Sequence, residues 1–401
     1  MDIVIFEDNK TDLLFPLAEL RPVFQIKAGA YSIKEKTERF FSGQNLKYST
    51  RELIKRYAIE LYGEKKLFEK CNGVTLFLNG KVVFQKNATE IFPDEKNILI
   101  KSGDNIIAFT TANTKNALDI IKGASPFVDM NVRDIEDGKY FHIINYSWDA
   151  VRYFEGDLED DLNYIFENTD ERTFRQDFDT NKIRLHQDSD IFPNVVLDSS
   201  KGKIFIDKGA TVEPFCYIRG PVYIDKKTLI KSGTKIYGPV NIGFESRVAG
   251  EISGTNFHSY VNKQHDGFIG NSYVCEFANL GADTVTSNLK NNYSYVKTKL
   301  PCSDDLYKTD MPFLGSIIGD HSKTGINTML NTGSIIGIFS NIAGGGFPDK
   351  LINSFQWYIS GNDPVRYTLE EAIATAKKVM SRREVNMSEA YESLVREKYK
   401  I

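Results

Sequence analysis

The second half of the chain places an aliphatic residue at every sixth position. Eight positions keep one phase: Ile206, Val212, Ile218, Ile224, Ile230, Ile236, Ile242 and Val248. A period of six is neither that of an α-helix nor that of a single strand, and it is typical of short strands joined by turns. Stacked triangular coils would bury these side chains in one column, which no single repeat could do alone. The pattern therefore predicts a left-handed parallel β-helix built from hexapeptide repeats.

The period returns in two later runs. The in-phase positions there are Phe268, Val274 and Leu280, then Ile318, Thr324, Leu330, Ile336 and Ile342. Segments 254–264 and 288–313 break the phase, so we expect both to project from the column as loops. Loops on a rigid scaffold often carry the chemistry of a protein.

The first part of the chain has a different pattern, in which short apolar runs alternate with helical spacing. This alternation predicts an α/β domain with a mainly parallel sheet. We place this domain and its linker at residues 1–190, the β-helix at 191–360 and a helical tail at 361–401. The tail has an amphipathic helix starting at Thr368. Its basic residues form a solvated face or, alternatively, contact an anionic cofactor; they are Lys377, Lys378, Arg382 and Arg383.

Composition narrows the class of protein. The 401 residues carry 50 Lys and Arg against 54 Asp and Glu, without a basic block, so nucleic acid is not an expected partner. The four cysteines lie far apart and are typical of reduced thiols. No apolar run approaches the roughly 18 residues of a membrane span, and the first residues do not resemble a signal peptide. We expect a cytoplasmic protein with no membrane partner.

The best candidate for a general base is His265, at the junction where the second run of repeats begins. By itself this position fits a hydrogen-bonded structural histidine better than a catalytic one. The stretch that follows contains His265-x-x-Phe268, Asn279-Leu-Gly-Ala282-x-Thr and Asn288. It resembles the acetyltransferase site of the bacterial bifunctional enzymes of UDP-N-acetylglucosamine synthesis, which combine a diphosphorylase with a glucosamine-1-phosphate N-acetyltransferase.

The resemblance implies a role for each matched residue. His265 would deprotonate the sugar amine that attacks acetyl-CoA, and Asn279 would hold the sugar phosphate or the amine. Asn288 would orient the acceptor or stabilise the oxyanion. Phe268 replaces a tyrosine of the family, which removes one hydroxyl contact with the acceptor, while Ala282 and Ser316 match coenzyme A contacts.

Three cationic residues are candidate anchors for the sugar phosphate, although each also fits an ordinary surface charge. They are Arg219, Lys231 and Lys263. The family's enzymes are trimers, and a triangular column also favours a closed homotrimer.

The N-terminal domain resembles a divergent branch of the sugar nucleotidyltransferases, on the block Leu-x-x-Leu-Arg21-Pro…Gly29…Ile-x-Glu-Lys36. This resemblance implies that Arg21 and Lys36 neutralise the phosphates of a sugar 1-phosphate and of UTP or dTTP. Asn79 stands where the family has a metal-binding Asp, so a carboxylate for Mg²⁺ would have to come from elsewhere, such as Asp149.

Four functional hypotheses follow. The first is a bifunctional enzyme that transfers a nucleotidyl group to a sugar 1-phosphate and an acetyl group to an amino sugar phosphate. The second keeps only one active half. The third is a zinc-dependent carbonic anhydrase, for which His258, His265 and His321 are poorly spaced. The fourth is a trimeric assembly module without catalysis.

Overall fold

In the computed structural model of the protein, an α/β domain is followed by a parallel β-solenoid and two C-terminal helices. The structure describes residues 2–92, 96–124, 130–175, 179–359 and 361–401. Among these residues, none of the helices combines the length and the apolar character that crossing a bilayer requires.

A six-stranded mixed sheet forms the centre of the N-terminal domain. Its strands lie in the order Leu46–Ser49, Asp2–Phe6, Thr75–Asn79, Asn105–Thr111, Ile98–Ser102 and Asn131–Asp134. The first three strands are mutually parallel, and Asn105–Thr111 runs antiparallel to both of its neighbours. Residues from Ile3 to Phe6 are all buried, because helices cover both faces of the sheet.

Helices and short ribbons complete the domain. The α-helices are Ile33–Phe40, Glu52–Tyr62, Thr114–Ile121, Asp149–Arg152 and Phe154–Asn168. The 3₁₀ helices are Thr11–Leu14, Val23–Gln25, Glu64–Lys66, Lys86–Ile91 and Glu171–Thr173. Two antiparallel ribbons pair Lys27–Ala28 with Tyr31–Ser32 and Val82–Phe84 with Phe141–Ile143.

The predicted hexapeptide-repeat fold is confirmed. The chain makes a parallel β-solenoid of about 10 turns over residues 183–359. Ile206 pairs with Ile224 and Ile224 with Ile242, so a regular coil takes 18 residues, or three repeats. All eight residues of the first run are fully buried in one apolar cluster. Its first strand, Ile183–Leu185, lies inside the segment that we had expected to be linker.

The strands of the solenoid form three faces. Face A contains Ile183–Leu185, Ile204–Ile206, Val222–Ile224, Tyr273–Val274, Ser316–Ile318, Ser334–Ile336 and Leu351–Ile352. Face B contains Asp190–Ile191, Thr211–Val212, Leu229–Ile230, Arg247–Val248, Asn262–Lys263, Lys323–Thr324, Asn341–Ala343 and Gln356–Ile359, with Val365–Arg366 antiparallel to the last. Face C contains Val196–Asp198, Tyr217–Arg219, Phe268–Gly270, Val285–Thr286 and Met329–Leu330. Two longer strands, Lys235–Ile242 and Glu251–Phe257, run from face C round the corner to face A.

One of the two expected loops is absent. Segment 288–313 does project from the column and forms a hairpin of Lys297–Leu300 and Ser303–Lys308. Segment 254–264 stays inside the column, where a coil is shortened: Val248 pairs with Lys263 only 15 residues later. The shortening shifts the phase, so Ile269 rather than Phe268 is the fully buried residue of its strand.

Face A packs against the N-terminal domain. Phe205 and Tyr223 contact the helix Phe154–Asn168, and the backbone amide of Lys27 donates a hydrogen bond to Tyr273 Oη at 3.0 Å. The C-terminal helices Leu369–Ser381 and Glu389–Lys400 share a core with both parts of the chain. These contacts join the three regions into one continuous structure.

Candidate active site

The carboxyl ends of the parallel strands hold a buried polar cluster. Lys81 lies two residues after the strand Thr75–Asn79, and its Nζ is 2.8 Å from Asp8 Oδ2. The Asn79 amide donates to the same oxygen at 2.9 Å, and Lys81 Nζ also lies 3.3 Å from Asn105 Oδ1. Such an edge is where α/β sheets commonly bind their ligands.

The pKa values in this cluster follow from burial and pairing. Burial alone would raise the pKa of Asp8, but the charge and hydrogen bonds of Lys81 outweigh it and leave this pKa below its ordinary value. Burial lowers the pKa of Lys81, and Asp8 limits the decrease. The ion pair therefore persists near neutral pH, with the ammonium held at a fixed position.

A cavity of about 530 Å³ opens at this edge, and we call it the sheet-edge cavity. Its lining includes Asp8, Thr50, Arg51, Phe68 and Lys122. Its volume lies within the range of small-molecule sites. Lys81 does not itself line the cavity, but its ion-pair partner Asp8 does. Sequence reasoning missed Lys81, although its position just after an apolar strand was a signal that could have found it.

Arg21 and Lys36 do not meet at this edge. Arg21 is buried and ion-paired with Asp320 and Glu276 of the solenoid. Lys36 lies 2.9 Å from Asp161 Oδ1, in a different cavity between two helices. Both cations are ion-paired within the protein, and the structure does not bring them together; their phosphate-binding roles stay predictions. Asn79 does lie at the edge, bound to Asp8.

Asp149 does not fit a Mg²⁺ ligand. Its Oδ2 accepts hydrogen bonds from the amides of Asn145 and Tyr146, and its Oδ1 accepts one from Arg152 Nε at 3.0 Å. Burial raises the pKa of this carboxyl. Within the described ranges, no three His, Cys, Asp or Glu side chains are grouped to hold a metal ion.

On the solenoid, His265 lies at the corner between faces B and C. Its side chain is exposed, and its carbonyl accepts a hydrogen bond from Lys263 Nζ at 2.9 Å. Ala282 lies at the same corner on the next coil, because Asp283 N donates to Asp266 O. The structure therefore brings His265 and Ala282 to one corner.

Lys263 occupies an inward position of the column, in register with Val248. Its ammonium donates to the carbonyls of Ala249 and His265, and burial lowers its pKa to about 8. Lys263 thus stabilises the corner that carries His265, and its side chain is 1% exposed, so it is not a surface anchor for phosphate.

Asn279 lies on face B in a ladder of side-chain amides. Gln264 donates to Asn262 at 2.6 Å, and Asn262 donates to Asn279 at 2.6 Å. All three line a cavity of about 440 Å³ between face B and the helix Leu369–Ser381, which we call the face-B cavity.

Four cationic residues line the face-B cavity, and no carboxylate residue is among its described lining. They are Arg247, Lys323, Arg382 and Arg383. Burial lowers the pKa of Lys323 to about 8, and its ammonium donates to the carbonyl of His321. Arg383 donates to the carbonyl of Glu245. Because no lining carboxylate offsets these charges, the cavity favours an anionic ligand. Sequence reasoning had noted Arg382 and Arg383, but it missed Arg247 and Lys323.

The other predicted residues lie elsewhere on the solenoid. Asn288 donates to Asn271 near face C, where Phe268 is half-buried. Arg219 is also on face C, stacked at 5.0 Å over the ring of Tyr237. Lys231 is half-buried at a coil corner, and Ser316 is buried inside the column. The structure therefore does not join these residues to Asn279 within one chain.

The histidines do not form a zinc site. His258 pairs with Glu276 at 3.0 Å, and His321 stacks between the rings of Phe277 and Phe339. Burial lowers the pKa of His321 to about 3, which keeps it neutral. His265 is exposed at a corner of the solenoid and shares neither of these surroundings.

Comparison with solved structures finds several solenoid proteins. A Bacillus cereus protein assigned as an acetyltransferase has 12% identity, covers 53% of this chain and 93% of its own, and gives a TM-score of 0.24. The Arabidopsis UDP-N-acetylglucosamine acyltransferase has 13% identity, with coverage of 50% and 79% and a TM-score of 0.18. A hexapeptide transferase family protein of Anaplasma phagocytophilum has 15% identity, with coverage of 52% and 92% and a TM-score of 0.16. At these identities and scores the likeness carries no conclusion about activity.

Comparison with curated proteins gives no match to the chain. Comparison with protein families gives a match to the N-terminal domain alone, over less than half of the chain. The prediction of a transferase is confirmed by this match: residues 3–170 fit the family described as sugar nucleotidyl transferase.

Proposed function

We propose that the chain is a bifunctional enzyme of sugar-nucleotide synthesis. The N-terminal domain would transfer a nucleotidyl group to a sugar 1-phosphate, and the solenoid would transfer an acetyl group from acetyl-CoA to an amino sugar phosphate. The observation that carries the first activity is the Lys81–Asp8 pair beside the sheet-edge cavity, within the residues that match the nucleotidyl transferase family.

The nucleotidyl transfer makes a defined demand on this site. An oxygen of the sugar 1-phosphate attacks the α-phosphorus of the nucleoside triphosphate, and the bond to pyrophosphate breaks. Negative charge increases on the leaving oxygen, and a fixed cation nearby stabilises it. We assign this role to Lys81, because Asp8, which lines the cavity, and Asn105 hold its ammonium at a fixed position at the edge. UTP or dTTP is the expected nucleotide.

The sheet-edge assignment is tested by pyrophosphate release from UTP and N-acetylglucosamine 1-phosphate, with Mg²⁺ in the buffer. Lys81→Met should lower the rate by about 10²- to 10³-fold, as expected for the loss of one electrostatic stabiliser. Lys101→Met is the matched control, because Lys101 lies on the same sheet but pairs with Asp134 at the surface. Equal rates in the Lys81 variant and the wild type would remove this residue from the mechanism.

Two features support the proposal of acyl transfer: the exposed His265 at a corner of the solenoid, and the adjoining face-B cavity. His265 would take the proton from the sugar amine as its nitrogen attacks the thioester carbonyl, and the coenzyme A thiolate would leave. The four cations of the cavity would bind the phosphates of coenzyme A or of the sugar. Asn279, which lines the same cavity, would orient one of these groups.

The acyl half is tested by thiol release from acetyl-CoA in the presence of glucosamine 1-phosphate. Asn279→Ala should weaken the reaction, since it removes a side chain from the cavity. Asn331→Ala is a control on the same solenoid, because Asn331 is exposed and is absent from the cavity lining. An unchanged rate in the Asn279 variant would place the acceptor elsewhere.

We further propose a homotrimer, in which a neighbouring subunit completes the site at the His265 corner. The triangular cross-section of the column favours closed threefold packing, and Ile326 is an apolar side chain at this corner with 70% of its surface exposed. Light scattering of the purified protein tests the proposal, and a monomer at assay concentrations would overturn it.

A further inference from the structure

The N-terminal domain has a second cavity that the proposed reactions do not use. It measures about 390 Å³ and lies between the helices Ile33–Phe40 and Phe154–Asn168, over the ribbon that contains Val83 and His142. It shares no lining residue with the sheet-edge cavity. We call it the helix-pair cavity.

Aromatic rings form much of its wall. Phe40 and Phe84 lie with ring centroids 6.1 Å apart, and Tyr153 lies 4.2 Å from the ring of His142. Tyr164 packs against the Arg39 guanidinium at 4.3 Å. Rings on several sides are suited to a flat ligand that stacks against them.

Among the lining residues of the cavity, a hydrogen-bond acceptor, the Asp157 carboxylate, lies beside a donor, the Lys36 ammonium. Asp157 is 4% exposed, and its Oδ2 lies 3.2 Å from His142 Nε2. Lys36 Nζ lies 3.8 Å from Asp157 Oδ1 and donates to the Asp157 carbonyl. A ligand that carries a ring N–H next to a carbonyl would match this pair of groups.

The charges of the cavity argue against a phosphate group. Lys36 and Arg39 are both paired with Asp161, at 2.9 Å and 2.8 Å. Asp157 and Asp160 add further negative charge to the lining, and its remaining cation, Lys86, lies 3.6 Å from Glu167. Each cation of the lining thus already has a carboxylate partner, so the cavity offers no unpaired positive charge for an anionic ligand, whereas an uncharged ligand needs no counter-charge.

Gly156 keeps one side of the cavity open. It lies within the helix Phe154–Asn168, where glycine is less favourable than alanine. A Cβ atom added at this position would meet nothing within 4 Å, so packing does not require the glycine. Gly156 therefore leaves open space at this side of the cavity, which a larger side chain would fill.

We propose that the helix-pair cavity binds an uncharged heteroaromatic ring compound of the nucleobase or nucleoside class. The stacking walls, the adjacent acceptor and donor and the paired charges all fit this class. The site is separate from the nucleotide site proposed at the sheet edge, and it does not depend on that proposal.

Calorimetric titration of the full chain with uridine, thymidine, cytidine, adenosine and guanosine tests the proposal. At least one nucleoside should bind, and its 5′-monophosphate should bind several-fold more weakly. Gly156→Leu should weaken the binding at least tenfold by filling the cavity. Gly156→Ala should preserve the fold and raise the melting temperature, which shows that the helix tolerates a side chain there.

Each other outcome overturns the proposal. Failure of all five nucleosides to bind would do so, and so would tight binding that Gly156→Leu leaves unchanged. Loss of binding in Lys81→Met but not in Gly156→Leu would place the nucleoside at the sheet edge. Pyrophosphate release is measured in parallel, so that failure of this site is distinguished from failure of the proposed nucleotidyl transfer.

Discussion

The guanidinium of Arg21 is ion-paired with the carboxylate of Asp320, a residue 299 positions further along the chain. Arg21 also lies 3.3 Å from Glu276, which in turn binds His258. Because both Arg21 and Asp320 are buried, this pair is a fixed connection between the N-terminal domain and the solenoid.

We expect Arg21→Met to destabilise the protein by about 3–5 kcal/mol, because it leaves the buried carboxylate of Asp320 without its partner. Urea unfolding measures the change. Arg172→Met is the control: Arg172 pairs with Asp170 at the surface, where solvent screens the pair, so its loss should change stability far less. A stable Arg21 variant that has lost only nucleotide binding would restore the phosphate role that the sequence predicted.

The aliphatic column should carry much of the stability of the solenoid. Ile236 is a fully buried residue of the first run, so Ile236→Ala should cost about 2–5 kcal/mol. Phe215 is 68% exposed at a coil corner, and Phe215→Ala should change stability little. Chemical denaturation of the two variants makes the comparison. Similar losses in both would contradict the assignment of the column as the core.

Binding of acetyl-CoA should weaken above pH 8. Burial lowers the pKa of Lys323 to about 8, so its positive charge in the face-B cavity is lost as the pH rises through this value. Acetyl-CoA is the suitable probe because it has no free thiol to titrate. Titration at pH 7 and pH 9 should give a several-fold weaker affinity at the higher pH, and Lys323→Met should remove most of this dependence.

The lowered pKa of Lys323 also predicts how the free energy of unfolding changes with pH. Between about pH 8 and its ordinary pKa of 10.5, Lys323 is protonated in the unfolded chain and neutral in the folded one. The unfolded state then binds more protons, so the free energy of unfolding contributed by this residue rises with pH across this window. Lys323→Met should flatten the rise, and an identical pH profile in both proteins would show that Lys323 keeps its ordinary pKa.

The six-residue repeat allowed the solenoid to be predicted from the sequence. Where the chain departs from this repeat, the course of the coil was not predicted. The spacing from Ile206 to Val248 reports directly on inward positions, because each coil repeats the same three sides. The coil between Val248 and Lys263 is three residues shorter than the regular coil of 18 residues, and its inward residue is a lysine, so the pattern there predicted a loop.

The candidate sites depend on contacts between residues that are distant in the sequence, and residue spacing does not predict such contacts. Arg21 matched a phosphate-binding block, but its partner Asp320 comes from a distant coil. Lys323 lies beside Asn279 on the next coil, although the hairpin insertion places the two residues far apart in the sequence. Arg382 reaches the same cavity from the end of the helix Leu369–Ser381. Asn279 was found by resemblance, whereas the cations around it required the structure.

The most direct test of the central claim is to measure both reactions in one purified preparation, together with Lys81→Met and His265→Ala. We expect that the wild type releases both pyrophosphate and thiol, that Lys81→Met loses only the first, and that His265→Ala loses only the second by about 10²- to 10⁴-fold. His186→Ala, on the first coil, should leave both rates unchanged. Thiol release that is absent, or that does not depend on His265, would contradict the bifunctional proposal and leave the solenoid as a scaffold for the N-terminal transferase.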